Sequence, residues 1–324
     1  MNGIAVVAIG RNEGDRLKRC LQSVIHAADL VVYVDSGSTD GSVAYAQGIG
    51  AEVVALDMSQ PFTAARARNR GFARALELRP DLAYVQFVDG DCEVQPNWLG
   101  QSLSFLAQHP EVAVACGRRR ERQPQASIYN QLCDLEWDTP IGEAKACGGD
   151  ALMRVSALSA VRGYRDDVIA GEEPELCIRL RSQGWKVWRL DLEMTLHDAA
   201  MTRFEQWWTR AIRCGYAYAL GSHLHGHPPE RHWVWETRRA VVWGGLLPLL
   251  SVLGTAWIGP WSLAGVLLYP VQALRLWRRS PLTGPIALSD AWFKTLAKLP
   301  EMIGIWRFWR DRALRRTPRI IEYK

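Results

Sequence analysis

Two carboxylates, Asp89 and Asp91, stand one residue apart at the end of the apolar run "VQFV". The run predicts a buried strand, and carboxylates beside it need a cation because an uncompensated buried charge is costly. Adjacent oxygen ligands suit Mg²⁺ or Mn²⁺ held against phosphates, since Mg²⁺ rarely receives a cage made entirely of protein. A calcium loop of the EF-hand type is excluded, because Gly100 stands where the bidentate glutamate belongs. A turn aspartate beside a capping aspartate is the structural alternative.

A second acidic pair, Glu172 and Glu173, lies in "IAGEEPELCIRLRSQGW". Pro174 fits the first turn of a helix and Gly184 fits its end. The two glutamates are therefore predicted at a helix N-terminus, where the dipole favours an ionised carboxylate by about 0.3–1 kcal/mol. An ionised carboxylate can act as a general base. Alternatively, both are helix-start acids without contact to substrate.

Alternating strands and helices are predicted to position these acids. Val-rich runs separated by amphipathic helices predict an α/β fold whose parallel sheet is covered on both faces. Ligands of such sheets bind beyond the carboxyl ends of the strands. Arg11 and Glu13, Asp35, and the Asp89–Asp91 pair all follow predicted strands, so we expect them on one rim. The predicted strands span residues 4–9, 30–35, 51–56, 83–89 and 112–117.

After residue 117 the pattern becomes α+β, with a strand predicted at 185–190 and a helix near 202–221. Residues 240–274 then contain no charge and are interrupted at Gly259-Pro260. One membrane span needs about 20 apolar residues. A single crossing would place the basic C-terminal residues outside, against the positive-inside tendency, so we expect a hairpin that returns to the same side. A buried hydrophobic subdomain is the alternative.

Charge and cysteine usage indicate the compartment and the partners. The 324 residues carry a net charge of +5, and residues 275–324 contain twelve basic against four acidic residues. Such a tail favours an anionic surface, either membrane or nucleic acid, and the adjacent charge-free stretch favours membrane. The aromatic, apolar and basic mixture at 293–316 is typical of an interfacial helix. Seven cysteines without a CxxC pair, and an N-terminus without a basic n-region, favour the cytoplasm.

The motifs "AIGRNEGDRLKRCLQSV", "VVYVDSGSTDGS", "ARARNRGFARA", "FVDGD" and "GEEPELCIRLRSQGW" occur in this order. In this the chain resembles family-two inverting glycosyltransferases of the GT-A fold, over residues 4–220 or so. The resemblance implies a Rossmann-like, mostly parallel sheet. It also implies that Asp89 and Asp91 hold Mn²⁺ or Mg²⁺ under the diphosphate of a nucleotide-sugar donor, a UDP- or GDP-sugar.

The same resemblance assigns the donor pocket. Asp35 matches the aspartate that contacts the nucleotide base, although its usual acidic neighbour is Ser36 here. Arg11 and Glu13 match the start of the nucleotide pocket, where position 11 is often aromatic, so Arg11 would stack its guanidinium on the base. Arg68 is expected to reach the ribose or diphosphate, with a solvated helix residue as the alternative.

The catalytic and acceptor residues follow in the same way. Glu173 matches the general base and Glu172 its acidic partner, where the family usually has Glu-Asp. His197 matches a histidine that completes the metal shell in some GT-A enzymes; a structural histidine is the alternative. Four residues are expected near the acceptor: Gly149, Asp150, Trp207 and Trp208. His223, His225 and His227 lie on a predicted loop whose spacing does not fit the usual zinc patterns.

The sequence therefore predicts a metal-dependent inverting glycosyltransferase that acts on a glycan or lipid-linked acceptor, in envelope polysaccharide or glycolipid synthesis. It is expected at the cytoplasmic face of a bacterial inner membrane, bound through 240–324 and not to nucleic acid. The predicted divisions are a catalytic domain at 1–225 (donor half 1–117, acceptor half 118–225), a linker at 226–239, an apolar hairpin at 240–274 and a basic tail at 275–324. A nucleotidyltransferase of the same fold and a catalytically silent membrane scaffold are the alternatives, although "GRNEGDRLK" is a poor phosphate loop.

Overall fold

The strands of the computed structural model form one sheet, and the described part of the chain comprises residues 3–316 and residue 321. The chain divides into two compact units, one ending at Ala200 and one beginning at Met201. All strands found in the described residues belong to the first unit: β1 Gly3–Gly10, β2 Leu30–Asp35, β3 Glu52–Ala55, β4 Leu82–Asp89, β5 Cys92–Val94, β6 Val112–Glu121, β7 Gly142–Ala144, β8 Ala151–Arg154 and β9 Lys186–His197.

The strand order is β3-β2-β1-β4-β8-β6-β9-β5, with β7 also paired to β9. Strands β1 to β4 form a parallel block, and β6 pairs with β9 in parallel. Strand β8 lies between β4 and β6 and is antiparallel to both. The predicted α/β class with a mostly parallel sheet is confirmed. The sequence pattern did not reveal β8, because its four residues are too short to show a periodicity.

Helices of the first unit connect these strands. Helix α3 packs closely on the sheet through Gly71, where a Cβ atom would lie 2.4 Å from Cγ1 of Val7. This close packing fixes the position of Arg68 one turn earlier. The helices are α1 Asp15–Val24, α2 Ser42–Gly48, α3 Ala64–Leu78, α4 Trp98–Gln108, α5 Ile128–Glu136, α6 Val155–Ala160 and α7 Glu172–Ser182, with a 3₁₀ turn at Pro124–Ala126.

The second unit is helical throughout its described residues. Its aromatic side chains pack between helices, as where the ring of Tyr216 on α8 meets that of Phe308 on α14 at 5.5 Å. The predicted single helix at 293–316 is two helices, α13 and α14, and the end of the predicted tail (317–320 and 322–324) lies outside the described residues. The helices are α8 Phe204–His225, α9 Val234–Ala240, α10 Leu247–Leu253, α11 Thr255–Ile258, α12 Leu268–Arg278, α13 Pro285–Leu296 and α14 Lys298–Ala313, with a π-helical turn at Val241–Leu246 and a 3₁₀ segment at Gly259–Leu267.

The apolar stretch reverses direction at Gly259, which has a φ of +69°. After the reversal, the hydroxyl of Ser262 donates to the carbonyl oxygen of Ser251 at 2.8 Å, and Tyr269 donates to the carbonyl of Trp243. By length and composition alone, the 45 residues Val234–Arg278 include a helix long and apolar enough to cross a membrane. Only 6% of the residues in the candidate span are buried within the protein.

Candidate active site

The acidic motif forms the turn between β4 and β5. Strand β4 ends at Asp89, and the amide of Gly90 donates to the carbonyl of Ile9 at 2.8 Å, which ties the turn to the end of β1. Strand β5 then starts at Cys92 and pairs with the end of β9, opposite His197. The two carboxylates on either side of Gly90 therefore meet different neighbours.

Asp89 is paired with two arginines. Nη2 of Arg68 lies 2.7 Å from Oδ1 of Asp89, and Nη2 of Arg119 lies 3.1 Å from Oδ2. Burial alone would raise the pKa of Asp89, but the two guanidinium groups outweigh burial and lower it. In this structure Arg68 and Arg119 thus compensate the charge of Asp89, and its predicted role as a ligand of a divalent ion stays a prediction.

Asp91 instead contacts His197. Oδ2 of Asp91 lies 3.3 Å from Nε2 of His197, and both side chains are buried. Together with Cys92 they form a group whose ligand atoms lie within 4.8 Å of one another. Burial raises the pKa of the Cys92 thiol well above its usual range, so the thiol stays protonated and is a poor ligand.

The remaining donors of this group, one carboxylate and one imidazole, suit a divalent ion that takes its other ligands from water and substrate oxygen. Nδ1 of His197 is buried without a hydrogen-bond partner, although Oε2 of Glu121 is 3.7 Å away. If Glu121 and His197 came slightly closer, Nδ1 could donate to Oε2 of Glu121. This hydrogen bond would orient the imidazole ring of His197 as in carboxylate–histidine–metal arrangements. The residues present therefore fit a divalent ion at Asp91 and His197.

Asp150 contacts the backbone amide of Asp89 and the guanidinium of Arg119. It is completely buried, and its Oδ2 lies 2.8 Å from Nη2 of Arg119 and from the hydroxyl of Thr195. Its Oδ1 accepts from the amide of Asp89 at 3.0 Å. This geometry supports a positioning role for Asp150; its contact with an acceptor stays a prediction.

Gly148 and Gly149 contact both Glu173, the candidate general base, and Asp89. The amide of Gly148 donates to Oε1 of Glu173 at 3.0 Å. A Cβ atom on Gly149 would lie 2.8 Å from Oδ2 of Asp89, so only glycine allows this close approach of the backbone. The backbone at Gly149 therefore lies directly against Asp89, and the predicted contact of Gly149 with the acceptor stays a prediction.

Glu172 and Glu173 lie in the first turn of α7, as the sequence predicted. Glu172 accepts from Nη1 of Arg68 at 2.8 Å, so Arg68 bridges Glu172 and Asp89. Burial, together with the charge of Glu172, raises the pKa of Glu173 to about 8. The expectation that Glu173 is ionised at neutral pH is therefore corrected, because the loss of hydration on burial raises its pKa. A pKa near neutrality suits a general base.

Arg68 is placed differently from the sequence expectation. Its side chain is only 2% exposed, and both ends of its guanidinium contact carboxylates. This geometry supports a positioning role; contact with a ribose or diphosphate stays a prediction.

The remaining donor candidates lie at the ends of β1 and β2. Asp35 accepts from the hydroxyl of Tyr33 and from the amides of Gly37 and Ser38, each at 2.9 Å. The guanidinium of Arg11 lies 5.0 Å from the ring centroid of Phe62, and Glu13 is paired with Arg16. Their contacts with a nucleotide stay predictions.

Sequence reasoning missed Arg119, Thr195 and Trp137. Arg119 lies over the ring of Trp137 at 5.5 Å, and this ring meets that of His197 at 4.7 Å. The available sequence signal for Arg119 was that arginines follow the apolar residues of the strand "VAVACGRRRE". The neighbouring sequence does not indicate which residues Arg119 contacts.

The second unit contains the other acceptor candidates. Trp207 is buried, with its ring 4.9 Å from that of Phe293, and Trp208 is half-buried. Their contact with an acceptor stays a prediction. The described residues offer two clusters of metal-ligating side chains, and neither includes His223, His225 or His227.

Comparisons with known proteins agree with this geometry. The model of glycosyl transferase family 2 matches residues 5–161. The succinoglycan biosynthesis protein ExoA of Rhizobium meliloti strain 1021 is 26% identical over 290 residues, covering 86% of this chain and 84% of that protein.

Solved structures share the fold at low identity. The mannosyltransferase PcManGT from Pyrobaculum calidifontis, solved with GDP-Man and Mn²⁺, is 15% identical with a TM-score of 0.61, over 96% of this chain and 88% of that one. The TarS 1–349 structure from S. aureus is 14% identical with a TM-score of 0.51, over 95% and 91%. The fold of this chain is GT-A.

Proposed function

This chain belongs to glycosyl transferase family 2 through residues 5–161 and is a glycosyltransferase, and we propose that it inverts the anomeric centre of the sugar that it transfers. The donor is a nucleotide-sugar and the acceptor a hydroxyl group of a glycan or a lipid-linked glycan. The match to this family favours a glycosyltransferase over a nucleotidyltransferase or a silent scaffold.

The observation that carries this proposal is that Glu173, from a distant part of the first unit, lies near the turn that holds Asp89 and Asp91. Asp91 lies beside His197, Asp89 lies between two arginines, and Glu173 is tied to the Gly148–Gly149 backbone that touches Asp89. Asp89 of the Asp89–Asp91 pair and the general-base candidate Glu173 thus border the same short backbone segment.

Asp91 and His197 would hold Mn²⁺ or Mg²⁺. When bound, the ion neutralises charge on the nucleoside diphosphate as it leaves. Arg68 and Arg119 keep Asp89 ionised and oriented, and Asp150 fixes Arg119 in turn. The structure of PcManGT, which shares the fold, was solved with Mn²⁺ and supports this choice of ion.

Glu173 accepts the proton of the acceptor hydroxyl. The oxygen attacks the anomeric carbon from the face opposite the diphosphate, the bond from that carbon to the diphosphate oxygen breaks, and the configuration inverts in one displacement. The amide of Gly148 orients the carboxylate that takes the proton. Glu172 is held by Arg68 and raises the proton affinity of Glu173 through its charge.

Donor and pathway rest on the relatives. PcManGT was solved with GDP-Man, and ExoA is named for succinoglycan biosynthesis. We therefore favour a UDP- or GDP-sugar and a role in envelope polysaccharide or glycolipid assembly.

The helical hairpin supports binding to the cytoplasmic face of a bacterial inner membrane. Trp257 and Trp261 are 89% and 85% exposed on either side of the reversal at Gly259. Exposed apolar patches of this kind mark interaction surfaces, and tryptophan is enriched where a membrane meets water. The basic residues after Arg275 would face anionic lipid headgroups.

A thermal-shift screen of nucleotide-sugars, with and without Mn²⁺, tests the donor site. Stabilisation grows with ligand concentration over the dissociation constant, so a metal-dependent shift identifies the donor. Transfer from that donor is then followed on candidate acceptors, with the anomeric configuration of the product read by NMR. A product that retains the donor configuration would refute inversion.

A further inference from the structure

The first unit contains a cavity of about 460 Å³ that the proposed reaction does not use. Strand β6 contributes residues both to the cavity and to the proposed active site. Arg119 of this strand contacts Asp89, whereas its neighbours Arg118 and Arg120 line the cavity. Its lining comprises Arg118, Arg120, Asp138–Ile141, Arg189 and Asp191–Glu193.

Two of these arginines are buried with incomplete pairing. Arg189 is 3% exposed, yet its ion pair with Asp138 is 3.9 Å long, beyond hydrogen-bonding distance. Arg118 is also buried; it reaches Asp134 at 3.1 Å, but its second carboxylate, Asp138, is 3.5 Å away. The Nη1 atoms of Arg118 and Arg189 donate to the backbone carbonyls of Arg119 and Leu190, whereas their Nε atoms have no hydrogen-bond partner.

Asp138 is a weak counterion for both arginines. Its side chain is 64% exposed, and it is shared at distances that leave the Nε–H groups unsatisfied. Exposed ion pairs contribute little, whereas a buried guanidinium without a full partner is costly. The cavity therefore offers two buried guanidinium groups whose shared carboxylate, Asp138, a stronger anion can displace; Asp191 and Glu193 also line the cavity.

We propose that this cavity binds a phosphate group, clasped by Arg118 and Arg189 after Asp138 moves aside. Arginine matches phosphate because its planar fork donates two parallel hydrogen bonds to two oxygens. Arg120 lies at the rim, where Glu193 holds it. The phosphate comes either from a soluble phosphate compound or from a lipid headgroup. This proposal does not depend on the transfer reaction.

Isothermal titration of the full chain with inorganic phosphate, at constant ionic strength set with sodium chloride, tests the site. Asp138→Asn removes the competing carboxylate, and we expect it to tighten phosphate binding about two- to fivefold, the effect of one exposed ion pair. Arg189→Gln removes one fork, and we expect it to weaken binding at least about tenfold. The matched control is Asp167→Asn, which removes an equally exposed aspartate paired with Arg165 and should leave binding unchanged.

The gain expected for Asp138→Asn cannot arise from misfolding, so the proposal stays testable if Arg189→Gln is unstable. No phosphate binding by the natural sequence, or equal affinities for Asp138→Asn and Asp167→Asn, would overturn it.

Flotation with phosphatidylcholine vesicles, with or without phosphatidic acid, then shows whether the bound phosphate group comes from a lipid headgroup or from a soluble compound. If Asp138→Asn strengthens binding only to the phosphatidic acid vesicles, the site takes a headgroup. If vesicle binding does not change while phosphate binding tightens, the site takes a soluble phosphate compound.

Discussion

Oδ2 of Asp91 lies 3.3 Å from Nε2 of His197, where the start of β5 pairs with the end of β9. Asp89, two residues before Asp91, is engaged instead by Arg68 and Arg119. The two aspartates of the motif thus meet different partners. Asp91 is available to an ion together with His197, and Asp89 joins the charged network that holds the turn.

Replacing Asp91 with Asn should abolish metal-dependent binding of the donor. We expect the Mn²⁺-dependent thermal shift to disappear and transfer to fall at least about 100-fold, because one ligand and one negative charge are lost. Asp57→Asn is a control, since this carboxylate accepts from the amide of Ser59 in an exposed loop. Unchanged turnover of Asp91→Asn would refute the metal role.

The activity should rise with pH through about 8. Glu173 has its pKa raised to about 8, so below this pH it is protonated and cannot accept a proton, and above it the carboxylate is competent. We expect kcat/KM to increase with a midpoint near pH 8. Glu173→Gln should lower kcat about 10²–10⁴-fold and remove this rise, while donor-induced thermal shifts persist. A Glu173→Gln enzyme with an unchanged pH profile would assign the base elsewhere.

Arg68→Met should destabilise the protein by about 3–5 kcal/mol, because Glu172 loses its guanidinium partner and Asp89 loses one of two. The free energy of unfolding in urea measures this loss. Arg74→Met, on the same helix, removes an exposed arginine paired with Glu52 and Glu77 and should cost about 1 kcal/mol or less. Equal losses for the two variants would show that burial of Arg68 does not matter.

Gly149→Ala should impair catalysis, because the added methyl group would lie 2.8 Å from Oδ2 of Asp89 and 3.0 Å from Nη2 of Arg68. We expect a loss of about 1–3 kcal/mol in stability and at least a tenfold fall in kcat/KM. Gly100→Ala, on helix α4 with no atom within 4 Å of the new methyl group, should retain full activity. An active Gly149→Ala enzyme would contradict the close packing.

The hairpin should carry membrane binding. Replacing Trp257 and Trp261 with Glu places charges at the exposed reversal, and we expect flotation with anionic vesicles to fall at least about tenfold. Trp235→Glu alters a tryptophan that is also exposed but precedes the apolar stretch, and it should float nearly as well as the natural sequence. If the variant with both Trp257 and Trp261 replaced floats as well as the natural sequence, the membrane contact lies elsewhere in the chain.

Local pattern was enough to predict much of the first unit. The order and approximate bounds of β1 to β4, and the acids at their ends, follow from apolar runs bounded by polar turn residues. The start of α7 at Glu172 follows from Pro174. These features depend on neighbours along the chain, so the sequence contains them directly.

What the sequence by itself determined is therefore the class of fold and the types of side chain at its rim. Only the tertiary structure decided which partners those side chains meet, because the partners come from distant segments: Asp91 with His197, and Asp89 with Arg68 and Arg119. It also decided the pKa of Glu173, since burial is a property of the folded chain and here outweighs the helix dipole.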